Sequence, residues 1–184
     1  LDLNGEGAAE TAKEIAGGGG VARGYEVDIT DRPGLAEVLR RAQADVGPVD
    51  ICVNNAGLIY TLGQLKDMDD AAWDLNLQVN LTGTYNVTKA VFPGMRERSW
   101  GRVISMASIA GLMGGFGQTA YSTSKMGVIG FVRDDRARPM PAATIVIFST
   151  DRAQWYPRSR FLQRGQTEAD GSFRELPAKH VDTG

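Results

Sequence analysis

Tyr121 and Lys125 stand four residues apart in the run Tyr121-Ser-Thr-Ser-Lys125. On a helix this spacing puts both side chains on one face. A free tyrosine titrates near pH 10, too high for ready proton exchange at neutrality. A neighbouring ammonium favours the phenolate. Such a pair could give a proton to a carbonyl oxygen or take one from an alcohol. Alone, the pair is a common surface coincidence. Ser108 lies thirteen positions earlier, just after an apolar run. Asn54-Asn55-Ala56-Gly57 follows another apolar run directly, and Asn80 lies in Val79-Asn80-Leu81-Thr82-Gly83. Taken singly, Ser108 reads as a turn residue and Asn80 as a helix kink.

The elements that must position these residues alternate between helix and strand. Residues 6–16, rich in Ala and Glu, predict a helix ended by Gly17 to Gly20. Val21 to Ile29 predicts a strand. Asp31-Arg32-Pro33 predicts a capped helix start, and Leu35, Val38, Leu39, Ala42 and Val46 follow at helical spacing. Gly47-Pro48 stops that helix, and Val49 to Val53 predicts a strand buried on both faces. A long helix is predicted from Asp70 to Arg98, with Trp73, Leu77, Leu81, Thr84, Val87 and Val91 on one face. Pro93 should bend or end it. Arg102 to Ala107 predicts a strand. A loop with Gly111, Gly114, Gly115 and Gly117 then leads to a helix from Gln118 to Arg133. Ala143 to Phe148 predicts one more strand, and 151–184 has no period and reads as irregular or disordered. The alternation predicts an α/β fold, a doubly wound parallel sheet flanked by helices, over 1–150.

The 184 residues suffice for one domain, and 20 basic residues balance 22 acidic ones. That balance argues against a nucleic-acid partner. No run of about 18 apolar residues is present, so no membrane span is expected. The single cysteine, Cys52, excludes an internal disulfide and fits a reducing, cytoplasmic setting. His180 is the lone histidine, and no grouping has metal-ligand spacing. Asp67, Asp69 and Asp70 read as a helix cap.

The order and spacing of Asn54 to Gly57, Asn80, Ser108, Tyr121 and Lys125 resemble the short-chain dehydrogenase/reductase family. The resemblance covers about Leu1 to Arg133. It is nearest to the 3-oxoacyl-[acyl-carrier-protein] reductase type and its NAD-linked alcohol dehydrogenase relatives. It implies a Rossmann-like fold and hydride transfer between NAD(P) and a carbonyl or secondary alcohol. Tyr121 would be the general acid or base. Lys125 would favour its phenolate, and Tyr121 and Lys125 would hold the nicotinamide ribose. Ser108 would hydrogen-bond the substrate oxygen, and Asn80 would position a relay water. Asp2 would bind the adenosine ribose and repel a 2′-phosphate, which favours NAD while leaving NADP possible. Asp28 and Ile29 would contact adenine, and Asn55, Ala56 and Gly57 would line the cofactor wall. A small-molecule substrate is implied, with a homodimer or homotetramer formed through the helices of Asn80 and Tyr121.

Two departures from the family pattern stand out. The first strand, its glycine-rich turn and the first helix are missing, so the chain is expected to be truncated at its N-terminus. Near Asp134 the pattern is lost again, and an aberrant C-terminus, from a shifted reading frame or a mis-predicted gene end, is expected. Gly115-Phe-Gly117-Gln-Thr-Ala120 mimics a phosphate turn but does not follow its strand directly, and reads as a loop shaping the substrate mouth. The alternative to an active oxidoreductase is a catalytically dead fragment, or a non-catalytic binding or scaffold subunit.

Overall fold

The computed structural model describes residues 1–60 and 62–130 with their side chains, and the backbone of 144–150, 159–167 and 173–175. The chain divides into two compact units, Leu1–Gly57 with Gln78–Val103, and Leu58–Leu77 with Ile104–Gly184. Helix-flanked parallel strands make the fold α/β and Rossmann-like.

In the first unit, Asn4 caps α1 (Gly5–Gly17), its side chain accepting from Gly7 N at 3.0 Å. The strand expected over 21–29 reduces to one parallel bridge between Asp2 and Glu26. Asp2 N donates to Tyr25 O at 3.1 Å, and Val27 N donates to Asp2 O at 2.9 Å. The cap at Asn4 turns the chain into α1 two residues after the bridge, so the pairing does not continue beyond Asp2. Helix α2 (Arg32–Val46) has Pro33 in its first turn. Asp31 stands at its N-cap without the expected side-chain cap bond, its carboxylate lying over Gly34 instead.

Strand β1 (Ile51–Asn54) is not buried on both faces as predicted. Cys52 and Asn54 are buried, while Ile51 is 57% and Val53 55% exposed. The inward face joins a core of Val27, Leu35, Val38, Leu39, Val91 and Met95 around Cys52. Burial pushes the Cys52 thiol up to about 11. Strand β2 (Arg102–Ser105) pairs with β1, and Arg102 N donates to Asp50 O at 2.9 Å.

The long helix is interrupted. It runs as α3 (Asp70–Leu77), a π-helical turn (Gln78–Gly83) and α4 (Thr84–Glu97). The acidic cap is present: Asp69 accepts from Ala71 N at 3.2 Å. Pro93 lies inside α4 without ending it. The carbonyl it leaves free is that of Lys89, an exposed residue, where water can take the bond.

In the second unit a short helix, α5 (Ile109–Met113), stands where a glycine loop is predicted. Ser108 nucleates it, its Oγ accepting from Ala110 N at 3.2 Å. Helix α6 spans Thr119–Gly130, and the expected continuation over 131–133 lies outside the described residues. Strand β3 (Thr144–Thr150) falls close to the predicted one. Two strands, β4 (Ser159–Thr167) and β5 (Phe173–Glu175), form within the segment read as irregular. They build an antiparallel sheet of order β3-β4-β5. Pairing with the β-branched run Thr144 to Ile147 gives β4 a structure that its own composition does not announce. His180 lies outside the described residues. Among those residues, no helix is long and apolar enough to cross a membrane.

Leu35 is 1% exposed at the centre of the first core. Leu35→Ala should destabilise the protein by about 2–5 kcal/mol in urea unfolding. Val21→Ala, at a residue 82% exposed, should stay within about 0.5 kcal/mol.

Candidate active site

Lys125 is the unusual cation of the second unit. It lies on α6, only 5% exposed. A buried ammonium needs hydrogen-bond partners, and Lys125 Nζ donates to Met106 O at 2.8 Å. Burial also lowers its pKa. The same Nζ stands 5.7 Å from the centroid of the Tyr121 ring. Ser124 Oγ donates to Tyr121 O at 2.7 Å, inside the same helix. Tyr121 and Ser108 are both half-buried. The cap bond of Ser108 uses an oxygen lone pair, which leaves its O–H able to donate.

Helices α5 and α6 pack together, which puts Ser108, Tyr121 and Lys125 on adjoining elements. Gly111 makes this possible. A Cβ there would meet the Lys125 carbonyl carbon at 2.8 Å and Met126 N at 2.9 Å. Only a residue without a side chain lets α5 rest on the backbone of α6 at Lys125.

The other predicted residues belong to the first unit. Asn80 is fully buried in the π-helical turn, and its backbone O accepts from Thr84 Oγ1 at 2.8 Å. Asp2 is exposed, and its Oδ1 accepts from Asn4 N at 2.9 Å. Asp28, also exposed, accepts from Thr30 N at 2.8 Å. The Ile29 side chain rests over Gly83, and its carbonyl accepts from Asn86 Nδ2 at 3.0 Å. Asn55, Ala56 and Gly57 are exposed directly after β1. Among the described residues no group of His, Cys, Asp or Glu could hold a metal ion.

Several positioning residues escape a reading by motif. Asn86 also accepts from Arg32 Nε at 2.9 Å, so it ties α4 to the turn that starts α2. Asn76 on α3 is 1% exposed; its Nδ2 donates to Ala72 O at 2.8 Å and to Tyr60 O at 3.2 Å. A usable signal exists for these residues. Asparagine is a poor helix former, yet Asn76, Asn80 and Asn86 all fall within one long helical pattern.

Two outcomes follow from this geometry. Gly111→Ala should cost about 1–3 kcal/mol by thermal unfolding, since the backbone of α6 must shift. Gly17→Ala, with nothing within 4 Å of the added Cβ, should be neutral or slightly stabilising. The second outcome concerns pH. The pKa of Lys125 is lowered from 10.5 in the folded state. Between the two values the unfolded chain binds more protons, so stability should rise with pH across that window. Below both values the cost of burying the ammonium is fully present. Comparing urea midpoints of the parent and Lys125→Met across alkaline pH isolates this rise, which the variant should lack.

A model of the family described as short chain dehydrogenase matches residues 1–144. Nodulation protein G of Azospirillum brasilense is 45% identical over 108 residues, 59% of this chain and 44% of that protein. D-beta-hydroxybutyrate dehydrogenase of Cupriavidus necator is 37% identical over 134 residues, 71% of this chain and 52% of that protein. The chain thus spans about half the length of these curated relatives. The crystal structure of NAD+-bound xylitol dehydrogenase superposes with a TM-score of 0.70 at 30% identity, covering 72% of this chain and 51% of the other. With the family model matching residues 1–144 of its 184, the chain belongs to the short-chain dehydrogenase family.

Proposed function

We propose that the protein transfers a hydride between NAD(P) and a carbonyl or secondary alcohol, with Tyr121 as the proton donor or acceptor. The observation that carries this reading is the buried Lys125 ammonium, anchored on Met106 O and set 5.7 Å from the Tyr121 ring. In the reductive direction the Tyr121 hydroxyl gives its proton to the substrate oxygen. Ser108 donates a hydrogen bond to the same oxygen and stabilises the developing alkoxide. Asn80 positions the water through which Lys125 recovers a proton from solvent. The non-catalytic alternative finds no support among the relatives.

The residues present fit a nicotinamide dinucleotide. Asp2 is exposed, and its Oδ1 alone is engaged by Asn4 N, which leaves Oδ2 for ribose hydroxyls. Asp28 and Ile29 would border the adenine. Asn55, Ala56 and Gly57 offer an exposed wall of small bulk after β1, suited to close approach of a ligand. Tyr121 and Lys125 would take the nicotinamide ribose; the ammonium carries three N–H donors and the Met106 carbonyl occupies one. When bound, the dinucleotide supplies or accepts the hydride. The carboxylate of Asp2 favours NAD over NADP. Within the family, the reading lies nearest to a 3-oxoacyl-[acyl-carrier-protein] reductase or an NAD-dependent alcohol dehydrogenase. The homo-oligomer and the cytoplasmic setting expected from the sequence belong to the same proposal.

The test is a coupled pair of measurements. Titration with NADH should give saturable, blue-shifted fluorescence, and NADPH should bind more weakly. Tyr121→Phe should keep the circular dichroism and the NADH binding of the parent while losing about 10²–10⁴-fold in turnover. Retained turnover in that variant would remove Tyr121 from the mechanism.

A further inference from the structure

Among the described residues, two buried side-chain polar atoms have no hydrogen-bond partner, Asn76 Oδ1 and Ser122 Oγ. Asn76 is the stronger anomaly, because the whole residue is 1% exposed. A buried amide oxygen without a partner lowers stability, and asparagine is also a poor helix former. Leucine has as many side-chain heavy atoms and would carry neither cost. Whatever Asn76 contributes must come from its amide nitrogen. That nitrogen donates to Ala72 O within α3 and to Tyr60 O, sixteen residues away.

Tyr60 and Gly63 belong to one loop, and Gly63 N donates to Gly117 O at 3.1 Å. Gly117 has a φ of +68°, and a Cβ there would sit 3.0 Å from Gly63 N, so two backbones are clasped where no side chain fits. Gly117 stands two residues before the start of α6. Gln118 N donates to Gly115 O at 3.0 Å, and Ser122 N donates to Gln118 O at 2.7 Å. The clasped turn therefore runs straight into the first turn of α6, where Tyr121 lies. Gly111 fixes the α5–α6 hairpin at Lys125, and the clasp fixes the same hairpin at its other end.

Resting on the hydride-transfer reading above, we propose that Asn76 is a positioning residue for the proton transfer. Its amide holds the Tyr60 loop, the loop holds Gly117, and the clasp sets the turn of α6 that carries the Tyr121 hydroxyl. Lys125 governs the acidity of that hydroxyl, and Asn76 governs where it stands. The two roles separate kinetically: loss of Asn76 slows turnover without moving its pH dependence.

The experiment compares the parent with Asn76→Leu, Asn76→Ala, Gly117→Ala and the Asn76→Leu/Gly117→Ala double variant, using NADH and ethyl acetoacetate as the probe carbonyl. Asn76→Leu keeps the heavy-atom count, and Asn76→Ala guards against crowding. Both should lower kcat about 10–100-fold, the scale of a misplacement of about 1 Å. KM for NADH and the pH profile of kcat should stay at parent values. The double variant should be no slower than the slower single variant, because both substitutions break one path. Hydrogen exchange reads that path without turnover. In both Asn76 variants the amides of Gly63, Gln118 and Ser122 should exchange at least about tenfold faster, while those of Met126 to Gly130 keep parent rates. Unchanged kcat in both Asn76 variants of an active protein, additive losses in the double variant, or a shifted pH profile would overturn the proposal. So would exchange that rises equally along all of α6, since Asn76 would then serve stability alone. If the parent leaves the probe unreduced, exchange decides: a rise confined to the three named amides upholds the path, and no rise sinks it. Failure of the parent to bind NADH would sink the hydride-transfer reading and leave that exchange result standing.

Discussion

The buried ammonium of Lys125 is the constraint around which the second unit is arranged. A cation taken out of water must be hydrogen-bonded or it loses its proton. The Met106 carbonyl, just beyond the end of β2, takes one of its protons. This bond ties the register of α6 to the end of a strand. Since Tyr121 lies one turn earlier on the same helix, its ring is placed by the same contact. Gly111 lets α5 close on the backbone of α6 at that turn, which brings the Ser108 cap alongside. One electrostatic requirement and one missing side chain together arrange three hydroxyl- or amine-bearing residues.

The first unit meets a different demand, the accommodation of amides inside a helix. Asn80 is fully buried, and the backbone around it opens into a π-helical turn. Such turns are rare and are frequently found at functional sites. Asn86 spends its side chain on the Ile29 carbonyl and the Arg32 guanidinium, so α4 also fixes the turn at the start of α2. Apolar packing around Leu35, Val91 and Met95 supplies the stability on which these polar details depend.

The catalytic candidates were legible because their chemistry needs particular residue types at fixed intervals. Helix-strand alternation was legible because amphipathic periods mark it. The losses have specific causes. The strand over 21–29 shrinks to a bridge because pairing depends on a partner, and Asn4 turns that partner into a helix two residues after the bridge at Asp2. The glycines near Gly111 suggest a loop, but a serine cap and a close helix contact make a helix there. The tail lacks a pattern of its own, and β4 arises from pairing with β3. Clasps such as Gly63 with Gly117 join residues far apart in the chain, and no local window contains them.

Cys52 gives the first unit an internal clock. Only a thiolate attacks thiol reagents at a useful rate. With its thiol held near 11 inside the Leu35 core, the folded protein keeps the residue silent twice over, by shielding and by protonation. Modification must therefore wait for the core to open. The rate at which an alkylating reagent reaches this single sulfur reports how often the core around it opens.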